Sequence, residues 1–430
     1  MTPAAPPATA LDAFGGFVGR EHARGRLVVQ PRMGFSDPGR MRGGLAATRA
    51  ADAATVGTIT LDSYTRVGDD ESARRAVLEG VDLNGYPIVV RPARETHDVL
   101  DGIAGPDFPV QVRHGSAAPQ AIFRALLGAG LTATEGGPVS YCLPYGRTPL
   151  ERSVDNWRES AEILARHGGS THIETFGGCM LGQLCPPSML VAISLLEGLF
   201  FLRHGVTGIS LSYAQQTSPA QDREAVRALR RLAAEFLPGA RWHVVLYTYM
   251  GLFPRTPGGA RSLLRQAART AVEAGAERII VKTEAEAHRI PTVEENVRAL
   301  EVAARAAEQA EPLPEGDPDS EVYREARILI RAVLDHSDDV GTALLRAFAR
   351  GHLDIPYCLH PDNAGRVRSR IAEDGRLCWA DTGALPLPAV AHRSGAVTSA
   401  NLLSTLSYME RRHDSGVATA PTPQEKKVNP

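Results

Sequence analysis

Short apolar runs alternate along the chain with longer stretches in which apolar residues recur every third or fourth position. The short runs predict strands over 27–29, 55–61, 88–90, 110–112, 132–134, 172–175, 209–212, 242–246 and 279–281. The periodic stretches predict helices, two with clear start signals. Ser218-Pro219 supplies a cap and a first-turn proline ahead of Val226, Leu229, Ala233 and Leu237 on one face. Thr292 and Glu295 form a capping box before Val297, Leu300 and Ala304. Regular strand–helix alternation predicts a parallel α/β fold, and the number of strands favours a closed (β/α)8 TIM barrel over an open sheet. Nine candidates compete for eight places. No glycine-rich phosphate loop follows the first strand, so a Rossmann fold fits poorly.

The pattern also divides the chain. Residues 1–24 begin as an Ala/Pro-rich stretch expected to be a mobile arm, and 25–310 hold the barrel. The acidic, Pro-rich stretch 311–320 reads as a linker into a mainly helical C-terminal extension over 311–415. Within it, 322–348 predicts one or two amphipathic helices and 353–365 an extended, turn-rich segment. Residues 416–430 are expected to be a disordered tail. The longest apolar run, 189–202, is interrupted by Glu197 and is too short to span a bilayer, so it predicts a buried helix.

Composition narrows the function. A net charge of −2 over 430 residues provides no basic field for nucleic acid or a membrane surface. The N-terminus lacks the charged-then-apolar pattern of an export signal, and a cytoplasmic location is expected. Cys142, Cys179, Cys185, Cys358 and Cys378 have no metal-ligand spacing; reduced cysteines and no metal site are expected. Arginine has nearly displaced lysine, and Lys282 is the only lysine before Lys426. An ammonium retained against that bias has a job a guanidinium does not do.

In a barrel the strand ends fall on one rim, where active sites are built. Three of them carry arginines: Arg32, Arg66 and Arg113, with Glu135 on the neighbouring strand. Singly, such arginines usually pair with surface carboxylates. Together, their planar forks suit a dicarboxylate, and Glu135 suits an ammonium. Tyr141 and Tyr145 flank that position, as packing or as polar contacts. His114 has no second histidine at ligand spacing and reads as a contact residue. Lys282 and Glu286 form either a helix-start ion pair or an anchor for cofactor hydroxyls. A pocket rich in grips and poor in acid–base groups beyond Glu135 points to a reaction carried by a cofactor.

QPRMG at Gln30, LDSYTR at Leu61, LNGYP at Leu83, RHG at Arg113, TEGGPVSYCLPY at Thr134, FGGCMLGQLCPPS at Phe176, YMGLFP at Tyr249 and VKTEAEAHRIPT at Val281 together resemble the large (epsilon) subunit of glutamate mutase, or methylaspartate mutase. The resemblance covers roughly residues 27–385. It implies a TIM barrel with a C-terminal extension and an adenosylcobalamin-dependent radical interconversion of L-glutamate and L-threo-3-methylaspartate. It also implies Arg32, Arg66 and Arg113 as the carboxylate grip with His114 beside them, Glu135 as the catalytic carboxylate meeting the ammonium, and Tyr141 and Tyr145 as further substrate contacts. Gly34, Asn84, Pro144, Phe253, Lys282, Glu286 and Ile290 are the implied cofactor contacts. The chain contains no Asp-x-His-x-x-Gly, the cobalt-ligating signature of cobalamin domains. The resemblance therefore implies a small cobalamin-binding partner subunit, in an assembly of two large and two small chains. Alternatives are a related mutase acting on another small amino dicarboxylate, a non-catalytic barrel partner of a cobalamin protein, and a metal- or Schiff-base-dependent barrel lyase using Lys282.

Overall fold

The computed structural model describes residues 12–144, 146–179, 184–388 and 399–418. Eight parallel strands form one sheet: β1 (Val28–Gln30), β2 (Gly57–Thr60), β3 (Val110–Arg113), β4 (Ala133–Glu135), β5 (His172–Glu174), β6 (Gly208–Ala214), β7 (Arg241–Tyr247) and β8 (Arg278–Ile280). Each pairs with its sequence neighbour from β2 to β8, and β8 pairs with β1. A parallel bridge between Val29 and Thr55 closes the cylinder, with the Val29 N–H donating to the Ala54 carbonyl at 2.9 Å. The expected TIM barrel is the observed fold.

The ninth strand candidate, 88–90, is a turn. Pro87 cannot donate to a ladder, and the Val90 N–H closes back on the Pro87 carbonyl at 3.2 Å. Its apolar residues reflect burial of Ile88 against the barrel rather than strand pairing. The helices Pro219–Phe236 and Val293–Glu308 begin at Ser218 and Thr292, the second with both halves of its capping box formed. The run 189–202 lies in the buried helix Pro187–Arg203. No helix of the described residues is long and apolar enough to cross a membrane.

The expectation of a mobile arm over 1–24 is corrected for its second half. The helix Ala13–Ala23 plugs the N-terminal end of the barrel, packing Phe14, Phe17 and Val18 against Val28, Val56 and Ala133. Asp12 caps it, accepting from the Gly15 N–H at 2.9 Å, and its other oxygen lies 2.7 Å from His172 Nδ1. Residues 1–11 lie outside the described set. Glycine-rich and short, the segment gave little periodicity to read.

The stretch 311–320 has neither helix nor strand, and the helices Glu321–Leu334 and Val340–Arg350 follow it. Their apolar faces join the same core as the barrel helices. After the turn-rich segment comes an antiparallel hairpin, Arg368–Ile371 with Leu377–Asp381, which the sequence reading did not anticipate. The helix Tyr408–Ala418 docks Asp414 onto Arg255 and Thr256. It takes in the start of the expected disordered tail; residues 419–430 lie outside the described set.

Candidate active site

The strands place polar side chains inside the cylinder at every other position. Midway along it, Arg278 donates to Glu174, Gln30 and Ser210, and Gln30 donates to Thr58 and Gln111. Glu174 also accepts from Gln111 at 3.2 Å and from the Tyr247 hydroxyl. One layer higher, at the C-terminal rim, Arg113 Nη2 sits 2.7 Å from Glu135 Oε2 and 3.0 Å from the Tyr247 oxygen. Tyr141 donates to the other Glu135 oxygen. Arg113 and Glu135 therefore meet directly, both almost wholly buried.

Burial raises the Glu135 pKa, and the nearby Glu174 charge adds to the rise, against the pull of Arg113. Burial also works on Glu174, but Arg278 and Arg113 outweigh it and hold that carboxyl below its ordinary range. The two carboxylates are thus driven apart in proton affinity, the pattern of a site with one fixed charge and one adjustable group.

The loop after β4 is positioned by Glu197, on the buried helix Pro187–Arg203. Its carboxyl accepts from the N–H groups of Val139 (3.2 Å), Ser140 (2.9 Å) and Gly177 (2.9 Å), and from the Ser140 hydroxyl (3.0 Å). Burial pushes its pKa up to about 7. A Cβ on Gly137 would lie 2.1 Å from that carboxyl, so only glycine lets the loop close over it.

His114 Nδ1 accepts from the Ser116 N–H at 3.0 Å, which leaves Nε2 as the protonated nitrogen. Burial, with Arg66 and Arg113 nearby, drives its pKa down to about 3. It is a neutral donor, stacked on Trp157 at 5.9 Å. Arg66, half-buried, donates to the Leu61 carbonyl at 3.2 Å and lies beside Gly115.

Arg32 falls in a second group with the implied cofactor contacts. Its Nη1 is 3.4 Å from Glu286 Oε2, and Lys282 Nζ is 3.7 Å from the same oxygen and 4.9 Å above the Phe253 ring. Burial lowers the Lys282 pKa to about 8, Arg32 adding to the fall and Glu286 opposing it. Gly34 passes the end of β2 so closely that a Cβ would meet the Thr60 carbonyl oxygen at 2.1 Å. Gly34 and the exposed Ile290 share a rim cavity of about 350 Å³. Asn84 is exposed and accepts from the Ser63 N–H at 2.9 Å, and Pro144 is half-buried. Tyr145 lies outside the described residues.

Sequence reasoning missed Tyr247, Glu174 and Arg278. The available signal was polar residues at inward positions of otherwise apolar strands, as in His172-Ile173-Glu174 and Arg278-Ile279-Ile280. Six rim atoms are buried without a partner among the described residues: Thr60 Oγ1, Arg113 Nη1, His114 Nε2, Gln215 Nε2, Gln216 Oε1 and Tyr249 OH. Buried polar groups are normally satisfied. Half of the twelve such atoms among the described residues lie at the strand ends, which makes this rim the candidate place for a polar ligand.

Fold and side chains together define a (β/α)8 barrel with a buried cluster of charged and polar groups at its C-terminal rim. Sequence comparison makes the assignment narrower. The chain belongs to the methylaspartate mutase E chain (MutE) family, whose model matches residues 11–405. Among its relatives are proteins described as glutamate mutase epsilon subunit. The one from Halobacterium salinarum is 33% identical over 344 residues, 76% of this chain and 71% of that protein. The one from Desulfitobacterium hafniense is 30% identical over 393 residues, 85% and 79% of the two chains. The one from Yersinia enterocolitica is 29% identical over 351 residues, 76% and 72%.

Proposed function

We propose that the chain is the catalytic large subunit of a cytoplasmic, adenosylcobalamin-dependent glutamate mutase that interconverts L-glutamate and L-threo-3-methylaspartate. The observation that carries this reading is the buried Arg113–Glu135 pair at the rim, with Arg113 Nη1 left without a partner among the described residues, in a member of the MutE family. Arg32, Arg66, Arg113 and Lys282 gather at the rim, with Arg113 and Lys282 buried, an arrangement that suits an acidic ligand.

The guanidinium forks hold the substrate carboxylates, and Glu135 receives the ammonium. Its raised proton affinity equips it to take and return a proton there. Tyr141 and Tyr247 fix the orientation of that carboxylate. The residues fit the cofactor too: a buried ammonium and a carboxylate, Lys282 and Glu286, offer a donor and an acceptor to ribose hydroxyls, beside the apolar Phe253. Gly34, Asn84, Pro144 and Ile290 complete that side. When bound, adenosylcobalamin supplies the radical chemistry by homolysis of its cobalt–carbon bond. The closed cylinder excludes water and keeps the substrate fragments in register. A small cobalamin-binding partner brings the cobalt-ligating histidine, in an assembly of two large and two small chains; the absence of Asp-x-His-x-x-Gly here supports that division.

The test is reconstitution with such a small subunit and adenosylcobalamin. Methylaspartate formation from glutamate, and a cobalt(II)–organic radical signal on mixing, appear only with every component present. Arg66→Lys and Arg113→Lys each lose a bidentate grip; at about 1.5–3 kcal/mol per charge-assisted bond this is roughly a tenfold to hundredfold fall in turnover. Near-normal activity in both refutes the site assignment. A second reading draws on the lowered Lys282 pKa, which suits a Schiff-base lyase. Borohydride trapping with substrate separates the two, because the mutase leaves no adduct on Lys282.

A further inference from the structure

We propose that Tyr247 is a positioning residue for Glu135: its one hydroxyl proton is shared between two carboxylates, and through it the interior Glu174–Arg278 pair governs how Glu135 is held. The proposal rests on the reading of Glu135 as the group that meets the substrate ammonium.

The Tyr247 hydroxyl is a three-way junction. It lies within bonding reach of Glu174 Oε1 and, at 3.2 Å, of Glu135 Oε2, while Arg113 Nη2 donates to its oxygen at 3.0 Å. A phenol has a single proton, so it can donate to only one carboxylate at a time. Glu174 is the better-provided of the two, keeping Arg278 and Gln111 as donors whichever way the hydroxyl turns. Glu135 is the one whose circumstances change. Its partners are Arg113 and Tyr141, and Arg113 is the group a substrate carboxylate recruits.

Every element around Glu135 can be named. Arg113 faces it from the end of β3 and His114 from the residue after, Tyr141 from its own loop, Glu174 from β5, Cys179 from the turn after β5, and Tyr247 from β7. Arg278 of β8 stands behind Glu174. When Arg113 turns to a ligand, the Tyr247 hydroxyl is the donor that can swing from Glu174 to Glu135 and replace the lost bond. The ring does not have to move: the Arg113 guanidinium lies 5.0 Å above it and Phe176 meets it edge-on at 5.6 Å.

Tyr247→Phe keeps the ring and removes the hydroxyl. Infrared pH-difference spectra of the large chain saturated with isotope-labelled L-glutamate and without cofactor, the state in which Arg113 is taken up by the ligand, give the protonation midpoint of Glu135, its band assigned by loss in Glu135→Gln. With its donor gone, Glu135 protonates at higher pH in Tyr247→Phe than in the wild type. In the reconstituted enzyme the acid limb of kcat moves the same way. Incorporation of 3-fluorotyrosine at 247, a stronger donor that keeps every contact, moves the midpoint to lower pH and serves if the phenylalanine variant does not fold. An unchanged midpoint in whichever variant folds overturns the proposal. The infrared readout does not require turnover, so an inactive wild type would sink the mutase reading and leave the coupling standing.

Discussion

Arg278→Met tests whether the polar column inside the barrel holds the cylinder together. The side chain is wholly buried, donates to Glu174, Gln30 and Ser210, reaches His243 at 3.4 Å, and lies 5.0 Å above the Phe14 ring of the N-terminal plug. Methionine keeps much of the apolar length and removes the charge. Glu174 is then left buried with only neutral donors, Gln111 and Tyr247, beside the more distant Arg113. Removing one member of a buried ion pair costs about 3–5 kcal/mol. Set against a total stability of about 5–15 kcal/mol, that is a large fraction. Glu174→Leu strands Arg278 and carries a comparable cost. The double variant replaces the pair by apolar groups, a change that is often near neutral. The two single losses therefore do not add, and the cycle gives a coupling of roughly 3 kcal/mol or more. Urea unfolding at pH 7, followed by tryptophan fluorescence, measures it. The pH dependence has a definite sign. In the native chain Glu174 has a lowered pKa, so its contribution is present above the ordinary carboxylate range and is lost as pH falls through the folded value. Without Arg278 the carboxyl is no longer held down, and the deficit of the variant narrows in acid. A single variant within about 1 kcal/mol of wild type, or a double variant as unstable as the sum of the singles, refutes the reasoning.

Lys282→Met should stabilise the chain at pH 7 while abolishing cofactor-dependent turnover. Burial lowers the lysine pKa from 10.5 to about 8, a penalty of up to about 3 kcal/mol that is full below pH 8 and fades as pH rises toward the unfolded value. A lower urea midpoint at pH 7, or a gain that persists at pH 10, contradicts this. Asp12→Ala removes both the cap on Gly15 and the bond to His172, a loss of about 2–4 kcal/mol. Hydrogen exchange should quicken across Ala13–Ala23 first; unchanged protection there means the plug does not depend on Asp12.

The barrel was legible because each βα unit repeats the same physics: an apolar run too short for a helix, then an amphipathic stretch with its own start signal. The rim was legible for a different reason. Residues such as Arg113 and Glu135 stand where the apolar run stops, so their positions follow once the strands are placed. Ile88-Val89-Val90 misled because burial and strand pairing leave the same apolar trace, and Pro87 was the clue against pairing. Interior residues were harder. Gln30, Gln111, Glu174 and Arg278 belong to strands separated widely along the chain, and nothing local announces that they satisfy one another across the cylinder. The hairpin of the extension is short and carries little alternation.

A TIM-barrel interior is ordinarily filled by branched apolar side chains, and the polar filling here bears on how a ligand enters. Over an apolar floor, Arg113 and Glu135 would be an isolated buried pair, and opening it would leave two uncompensated charges. In this molecule Glu174 lies beneath them, attracting Arg113 and repelling Glu135, so the pair is held less firmly than its 2.7 Å contact suggests. On the proposed reading an amino dicarboxylate would exchange partners with it: one substrate carboxylate takes Arg113, the ammonium takes Glu135 and the second carboxylate takes Arg66, so the number of buried charges left without an opposite is unchanged. A ligand lacking the ammonium completes only half of that exchange, because Glu135 would lose the Arg113 charge and gain only the neutral Tyr247 hydroxyl. On this argument glutamate should bind far better than glutarate, and the difference should collapse in Glu135→Gln.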